Sequence, residues 1–161
     1  VPLAIKNHTL IPFAGIDESN GDGYYILWPT NTSQLCAVIR THLLTKHGLT
    51  HLGIIAADSA LLPMRRGTVG ISIGHAGLRA FRDYRRAQDI FGRNLNLSTA
   101  NVVDSLAAAA VFTMGEGNEQ TPLALIRDTE NVEFINEEIP NDGKIPPQED
   151  IYTPLLKKFW D

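Results

Sequence analysis

The sequence predicts an α+β domain of mixed sheets and packed helices. Three observations lead there. Short apolar, β-branched runs are separated by glycine, proline and asparagine, as strands are. Two longer stretches carry apolar residues at helical spacing. Hydrophobic residues make up 43% of the chain and charged residues 20%, an ordinary globular balance. At 161 residues the chain is long enough for one domain with a real core.

The elements follow in order. Ile11 to Ile16 reads as a strand or strand end, followed by the polar loop Asp17-Glu18-Ser19-Asn20-Gly21-Asp22-Gly23. Tyr24 to Trp28 is the next strand, closed by Pro29. Leu35, Val38, Ile39, His42 and Leu43 form one helical stripe, with Asn31, Thr32 or Ser33 as its cap and Gly48 at its end. Leu52 to Ala57 is a continuous apolar run ending in Asp58, which predicts a strand buried on both faces with a carboxylate at its tip. Gly67, Gly70, Gly74 and Gly77 interrupt a β-branched stretch and predict tightly packed strands.

Asp83 to Leu97 is polar and irregular, with a turn at Phe91-Gly92. The clearest helix follows, capped by Ser98 or Thr99 and ended by Gly115. Its stripe is Val102, Val103, Leu106, Ala107, Ala110, Val111 and Met114. Leu123 to Ile126 is the last expected strand. From Asn131 the composition shifts, and Pro140, Pro146, Pro147 and several acids predict an extended tail. Tyr152, Leu155, Leu156, Phe159 and Trp160 supply a short docking segment at its end.

Charge and cysteine content narrow the function. The formal charge is −4, and Arg65-Arg66 and Arg85-Arg86 are isolated pairs, so nucleic acid is not an expected partner. Cys36 is the only cysteine, which excludes an internal disulfide and a cysteine-rich zinc site. No apolar run approaches the roughly 20 residues that span a bilayer, and no signal peptide is visible; the expected setting is cytoplasmic, without membrane. The chain opens at Val1, and processing, trimming or a missing upstream segment would each explain that.

Three acids share one logic. Asp17 follows an apolar run, Asp58 ends one, and Glu116 lies just past a helix, each at a hand-over to a polar loop. Oxygen ligands of this kind suit Mg²⁺ or Mn²⁺. Ser59 adds a hydroxyl, and Asn20 can meet a phosphate or a base. The loop Met114-Gly115-Glu116-Gly117-Asn118-Glu119-Gln120-Thr121 exposes backbone N–H groups beside polar side chains, a pattern able to hold phosphate and metal together. Each residue has a plain structural reading too: an Asx-turn at Asp17, a helix cap at Asp58, a solvated Glu116, a polar connection at 114–121. The histidines form no spaced metal pair; His75, between Gly74 and Ala76, reads first as packed or hydrogen-bonded.

Five ordered blocks carry a resemblance: AGIDESN at 14–20, AADS with P-x-R-x-G at 56–67, GTVGISIGHAGL at 67–78, DYRRAQDIFGRNL at 83–95, and DSLAAAAVFTMGEGNEQTPLALI at 104–126. Together they resemble the C-terminal part of the gamma-glutamyl ligase of coenzyme F-420 biosynthesis, nearer its sister branch labelled folate-metabolism gamma-glutamate ligase. The resemblance covers roughly residues 6–135. It implies an intertwined homodimer of an unusual α+β fold. The implied reaction joins L-glutamate to a small carboxylate acceptor with GTP as co-substrate and two divalent ions, Mg or Mn. Asp17 and Asp58 correspond to ligands of one ion, Ser59 and Glu116 to ligands of the second, and Asn20 with residues 114–121 to nucleotide contacts. Asp58 and Arg65 are the expected catalytic groups. Arg65 or Arg66 is suited to a bidentate hold on carboxylate or phosphate, and equally to a surface ion pair.

Residues 1–130 are then the metal- and nucleotide-binding domain, lacking the family's N-terminal half, and 131–161 the tail. Two departures stand out. The coenzyme branch reads Asp-Thr-Phe-Gly-Arg-Pro where this chain has Asp58-Ser59-Ala60-Leu61-Leu62-Pro63, so the arginine is gone. The family's N-terminal half, with a lysine and a serine-bearing loop, is absent, which makes the chain an expected C-terminal fragment. Two rival functions stay in view: a non-catalytic domain for dimerisation or partner binding, and a metal-dependent phosphohydrolase.

Overall fold

The structure, a computed structural model, describes residues 2–139 and 142–157. Pro140, Phe159 and Trp160 of the expected tail lie outside the described residues. The class is α+β, and the sheets expected to be mixed are, among the described residues, four antiparallel two-stranded ribbons.

β1 (Leu3–Lys6) and β2 (Thr9–Pro12) form a hairpin turned by Asn7 and His8, both at positive φ as a type I′ turn requires. Ile11 is its one buried side chain. The strand expected over 11–16 is broken by a single 3₁₀ turn at Phe13–Gly15. Its second part, β3 (Ile16–Asp17), pairs with β4 (Ile26–Leu27), all that forms of the Tyr24–Trp28 strand. Two-residue strands leave the loop 18–25 projecting from a very short ladder.

The centre is a long hairpin, β5 (Ile54–Leu61) against β6 (Thr68–Ala76). Its register shifts between Ala56 and Ala57, where a bulge on β6 adds one residue. The bulge reverses the alternation of side chains and lets both faces be covered. A Cβ on Gly70 would lie 2.6 Å from the Ala107 carbonyl and from Val111, whereas one on Gly74 would lie 2.5 Å from the Thr32 hydroxyl. Thus α2 (Val102–Met114) packs on one face and α1 (Thr32–His47) on the other. The tight glycine packing expected for this stretch is present.

α1 starts and stops where expected, with Gly48 in the left-handed region at its C-terminus. Asn31 precedes it without a side-chain cap, and the Thr32 hydroxyl instead donates to the Ile73 carbonyl. The buried face is a correction. It is Thr32, Cys36 and Arg40, while Leu35 and Val38 are 56% and 62% exposed. Arg40 decides this orientation: its guanidinium donates to the carbonyls of Leu52 (2.8 Å) and Ile135 (3.1 Å) and to Asn136 Oδ1 (3.2 Å). Several charge-assisted bonds in a buried setting outweigh the burial of one valine and one leucine.

α2 follows its predicted stripe, with Val103, Ala107 and Val111 buried. Its cap is Asn101, whose side chain accepts from the Asp104 N–H (3.0 Å), and not Ser98 or Thr99. Those two residues precede it, because Thr99–Asn101 is drawn into β8 against β7 (Phe81–Asp83). Between these strands residues 84–98 are irregular as expected, held by one isolated bridge from Gln88 to Asn94 and by backbone hydrogen bonds such as Arg86 N–H to the Leu95 carbonyl and Leu95 N–H to the Ala87 carbonyl. Leu78, Ala80 and Val103 form the core cluster, with Ile55, Leu106 and Val132 against it.

The strand expected at Leu123–Ile126 does not form. Residues 120–129 have no ladder partner among the described residues, and Leu123 and Leu125 are exposed. Glu133, Ile135 and Asp142 lie along the turn after β6. Arg79 N–H donates to the Glu133 carbonyl, Ile135 N–H to the Gly77 carbonyl, and Ala80 N–H to Asp142 Oδ2. A short α3 (Thr153–Leu156) follows, with none of its residues buried. No helix among the described residues is long and apolar enough to cross a membrane.

Candidate functional site

Asp58 is the centre of the site, and its position differs from the sequence expectation. It is not at a strand tip. It is the fifth residue of β5, paired with Ile71, and the ladder runs on to Leu61 opposite Thr68. Ser59-Ala60-Leu61 is less uniformly apolar than the run before it, but β6 supplies backbone partners that make those residues strand. Because successive strand residues point to opposite faces, Asp58 and Ser59 diverge across the ribbon.

Asp17 ends β3 and forms the Asx-turn open to it from sequence. Its carboxylate accepts from the N–H groups of Glu18 (2.7 Å) and Ser19 (2.9 Å) and from the Ser19 hydroxyl (2.8 Å). The Ser19 N–H first, then its hydroxyl, hold the Asp17 carboxyl below the ordinary carboxylate range. Asn20, at positive φ, donates from Nδ2 to the Gly117 carbonyl (3.3 Å), which ties the first acidic loop to the loop after α2.

Glu116 reaches the hairpin from the far end of α2. Gly115 ends that helix at φ 86° and ψ 167°, turning the chain away from the helical path. Glu116 Oε2 accepts from the Ser59 hydroxyl at 2.6 Å, and Oε1 from the Thr68 hydroxyl at 3.2 Å. Two segments 57 residues apart thus meet in one hydrogen bond. The loop is also tied internally: Glu119 accepts from the Gly117 N–H (2.8 Å), and the Thr121 hydroxyl donates to the Met114 carbonyl (2.6 Å). Gln120 sits at positive φ, and Asn118 is exposed beside it.

The electrostatics join these parts. Burial pushes the Asp58 carboxyl above its ordinary range, and the charges of Asp17 and Glu116 push it further, against the stabilising Ser59 N–H. Among the described residues no basic side chain is one of the groups acting on it. Arg65 lies in the exposed turn between β5 and β6, where its N–H donates to the Leu62 carbonyl (3.2 Å); it makes no ion pair with the three carboxylates. Two surface concavities, lined by Asp83, Arg85 and Asn94 and by Arg79, Phe81 and Glu130 among others, include none of these residues.

Asp17 and Glu116 both push the Asp58 carboxyl upward, and carboxylate oxygens of this kind form a donor set suited to hard divalent ions. Among the described residues no three His, Cys, Asp or Glu side chains gather as the ligands of one ion. Instead Asp17 and Glu116 both act on Asp58, and Ser59 bonds Glu116. Two protein oxygens per ion fit Mg²⁺ or Mn²⁺, which keep waters and take phosphate oxygens for the rest. Thr68 escapes sequence reasoning. Its hydroxyl shares a face with Ser59 only in the observed register, which depends on the length of the connecting turn.

Comparison with known proteins agrees with the resemblance. Residues 3–128 match the family described as F420-0:Gamma-glutamyl ligase. Among curated relatives, the coenzyme F420:L-glutamate ligase of Halorubrum lacusprofundi is 40% identical over 118 residues, covering 73% of this chain and 45% of that protein. The protein of the same name from Methanocaldococcus jannaschii is 35% identical over 139 residues, 86% of this chain and 55% of its own length. That from Methanopyrus kandleri is 36% identical over 115 residues, 71% and 45% respectively. The chain spans about half the length of the curated relatives it matches. It belongs to the F420-0:gamma-glutamyl ligase family.

Proposed function

We propose that this member of the family takes part in forming an amide between L-glutamate and a small carboxylate acceptor, driven by GTP and two divalent ions, Mg or Mn. The observation that carries the reading is the Ser59–Glu116 hydrogen bond, which joins β5 to the loop after α2, with the charges of Asp17 and Glu116 both acting on the half-buried Asp58. In this reading Asp17 and Asp58 hold one ion, and Ser59 and Glu116 the second. When bound, the ions neutralise the nucleotide phosphates and align them for transfer.

The chain's own residues set the frame. The acceptor carboxylate attacks the γ-phosphorus of GTP, GDP leaves with the bonding pair, and an acyl phosphate results. The glutamate amine then attacks the carbonyl carbon, phosphate leaves with its oxygen, and the amine proton passes to solvent. Asn20 and residues 114–121 are suited to the nucleotide: Asn20 already bridges to Gly117, so both loops order together. Arg65, exposed and without a side-chain partner among the described residues, is free to approach an acceptor carboxylate. The apolar Leu61-Leu62 beside it replaces the coenzyme branch's arginine, so acceptors other than a deazaflavin belong in the test. A cytoplasmic setting and a homodimer are part of the same reading.

The test is phosphate release from GTP with Mg²⁺ or Mn²⁺, L-glutamate and a panel of carboxylates that includes coenzyme F420-0. Release that requires both glutamate and one acceptor, lost in Asp58→Ala, is the expected result. Release without glutamate would make the protein a phosphohydrolase. No release, together with a stable dimer indifferent to metal and GTP, would make it a non-catalytic partner domain, a reading that the uncovered α1 surface also accommodates.

A further inference from the structure

From the two hydroxyls on Glu116 we infer that Thr68 is a positioning residue, one that orients the Glu116 carboxylate toward the second ion. The inference rests on the metal-dependent reading above. Thr68 opens β6 opposite Leu61, while Ser59 on β5 stands opposite Gly70. Directly opposed residues share a face, and so do residues two apart, so Ser59, Leu61, Thr68 and Gly70 lie on one side of the hairpin. It is the side on which α2 packs, since Gly70 abuts Ala107 and Val111. Glu116, two residues beyond the end of α2, therefore meets both hydroxyls.

The two bonds do different work. Ser59 donates to Oε2 at 2.6 Å, and Ser59 is itself a proposed ion ligand. Its hydroxyl can ligate through a lone pair while its proton holds Oε2, but that leaves the other carboxylate oxygen without a restraint from Ser59. Thr68 donates to the other oxygen, Oε1, at 3.2 Å. That bond restrains rotation of the carboxylate and leaves Oε2 beside the Ser59 hydroxyl. The β-branched Thr68 has few rotamers on a strand, which makes it a firmer donor than a flexible side chain. Hydrogen bonds that orient a metal-ligating carboxylate commonly matter about 10–100-fold in metal affinity.

The experiment is Mn²⁺ binding to the wild-type chain followed by calorimetry and by loss of the free-ion electron paramagnetic resonance signal. It is repeated for Thr68→Val, Thr68→Ser and Glu116→Gln, with circular dichroism to check folding. The expected result is two sites in the wild type, with Thr68→Val weakening one of them about 10-fold and leaving the other unchanged. Thr68→Ser should restore it, because the hydroxyl and not the methyl carries the effect, and Glu116→Gln should weaken the same site. If Thr68→Val does not fold, Thr68→Ala removes the same hydroxyl and takes its place. Equal affinity in wild type and Thr68→Val, with Glu116→Gln impaired, overturns the role of Thr68 and spares the metal reading. Absence of Mn²⁺ binding in the folded wild type overturns both.

Discussion

The two long helices bury opposite kinds of residue. α2 turns Val103, Ala107 and Val111 inward, as its apolar stripe predicts. α1 turns Thr32, Cys36 and Arg40 inward and leaves Leu35, Val38 and Ile39 outside. Both lie on the same hairpin, so the sheet does not explain the contrast. α2 meets Gly70 at backbone distance, and its small alanines allow that approach. α1 is oriented by the hydrogen bonds of Arg40 to Leu52, Ile135 and Asn136. The lesson is that both helices pack closely on a glycine of β6, but the polar bonds of Arg40 select which face of α1 turns inward, and α1 therefore presents an apolar face outward. That face, with the exposed Tyr24, Tyr25 and Leu27 of the β3–β4 hairpin, is where the proposed dimer would find apolar surface.

Substitutions can break this contrast. The largest effect is expected for Val111→Asp, which puts an unpaired charge between α2 and Gly70; a loss above about 4 kcal/mol should leave the chain unfolded by circular dichroism. Arg40→Leu comes next. It strands the Leu52 and Ile135 carbonyls, and denaturant unfolding should show a loss of about 2–4 kcal/mol. An unchanged midpoint in Arg40→Leu would mean that packing, not Arg40, orients α1.

A smaller effect concerns pH. Burial holds His75 below its ordinary 6.5, opposed by Asp142, Glu138 and Asp104 and aided by Lys144. A base with a depressed folded pKa contributes stability that is present above 6.5 and lost as pH falls through the folded value. The melting temperature of the wild type should therefore drop more between about pH 7.5 and 5.5 than that of His75→Gln. Equal drops would place the pH response elsewhere. The smallest effect is expected for Val38→Lys, within about 0.5 kcal/mol of wild type, since Val38 is already exposed. If the chain is a dimer through α1, the same change should shift its mass in light scattering toward monomer.

Much of this architecture is legible in the sequence. The α2 stripe and its glycine stop are local signals, and the glycines of β6 announce close packing without naming their partners on α1 and α2. Spacing alone leaves Asp17, Asp58 and Glu116 as loop carboxylates; the ordered family blocks assign them roles. What is not legible depends on remote partners. Residues 123–126 have the composition of a strand but find no ladder partner among the described residues. Asp58 is inside its strand because β6 extends past it. The inward face of α1 is set by carbonyls at 52 and 135, and Thr68 joins the site through a register no local window contains.

The central claim is that the carboxylates around Asp58 hold divalent ions for a nucleotide. The most direct measurement is the melting temperature of the wild type and of Asp58→Ala, each with and without Mn²⁺ and GTP. The account predicts that metal and nucleotide together raise the wild-type value, and that Asp58→Ala folds but shows no rise. An equal rise in both proteins would contradict it, as would no rise in the wild type.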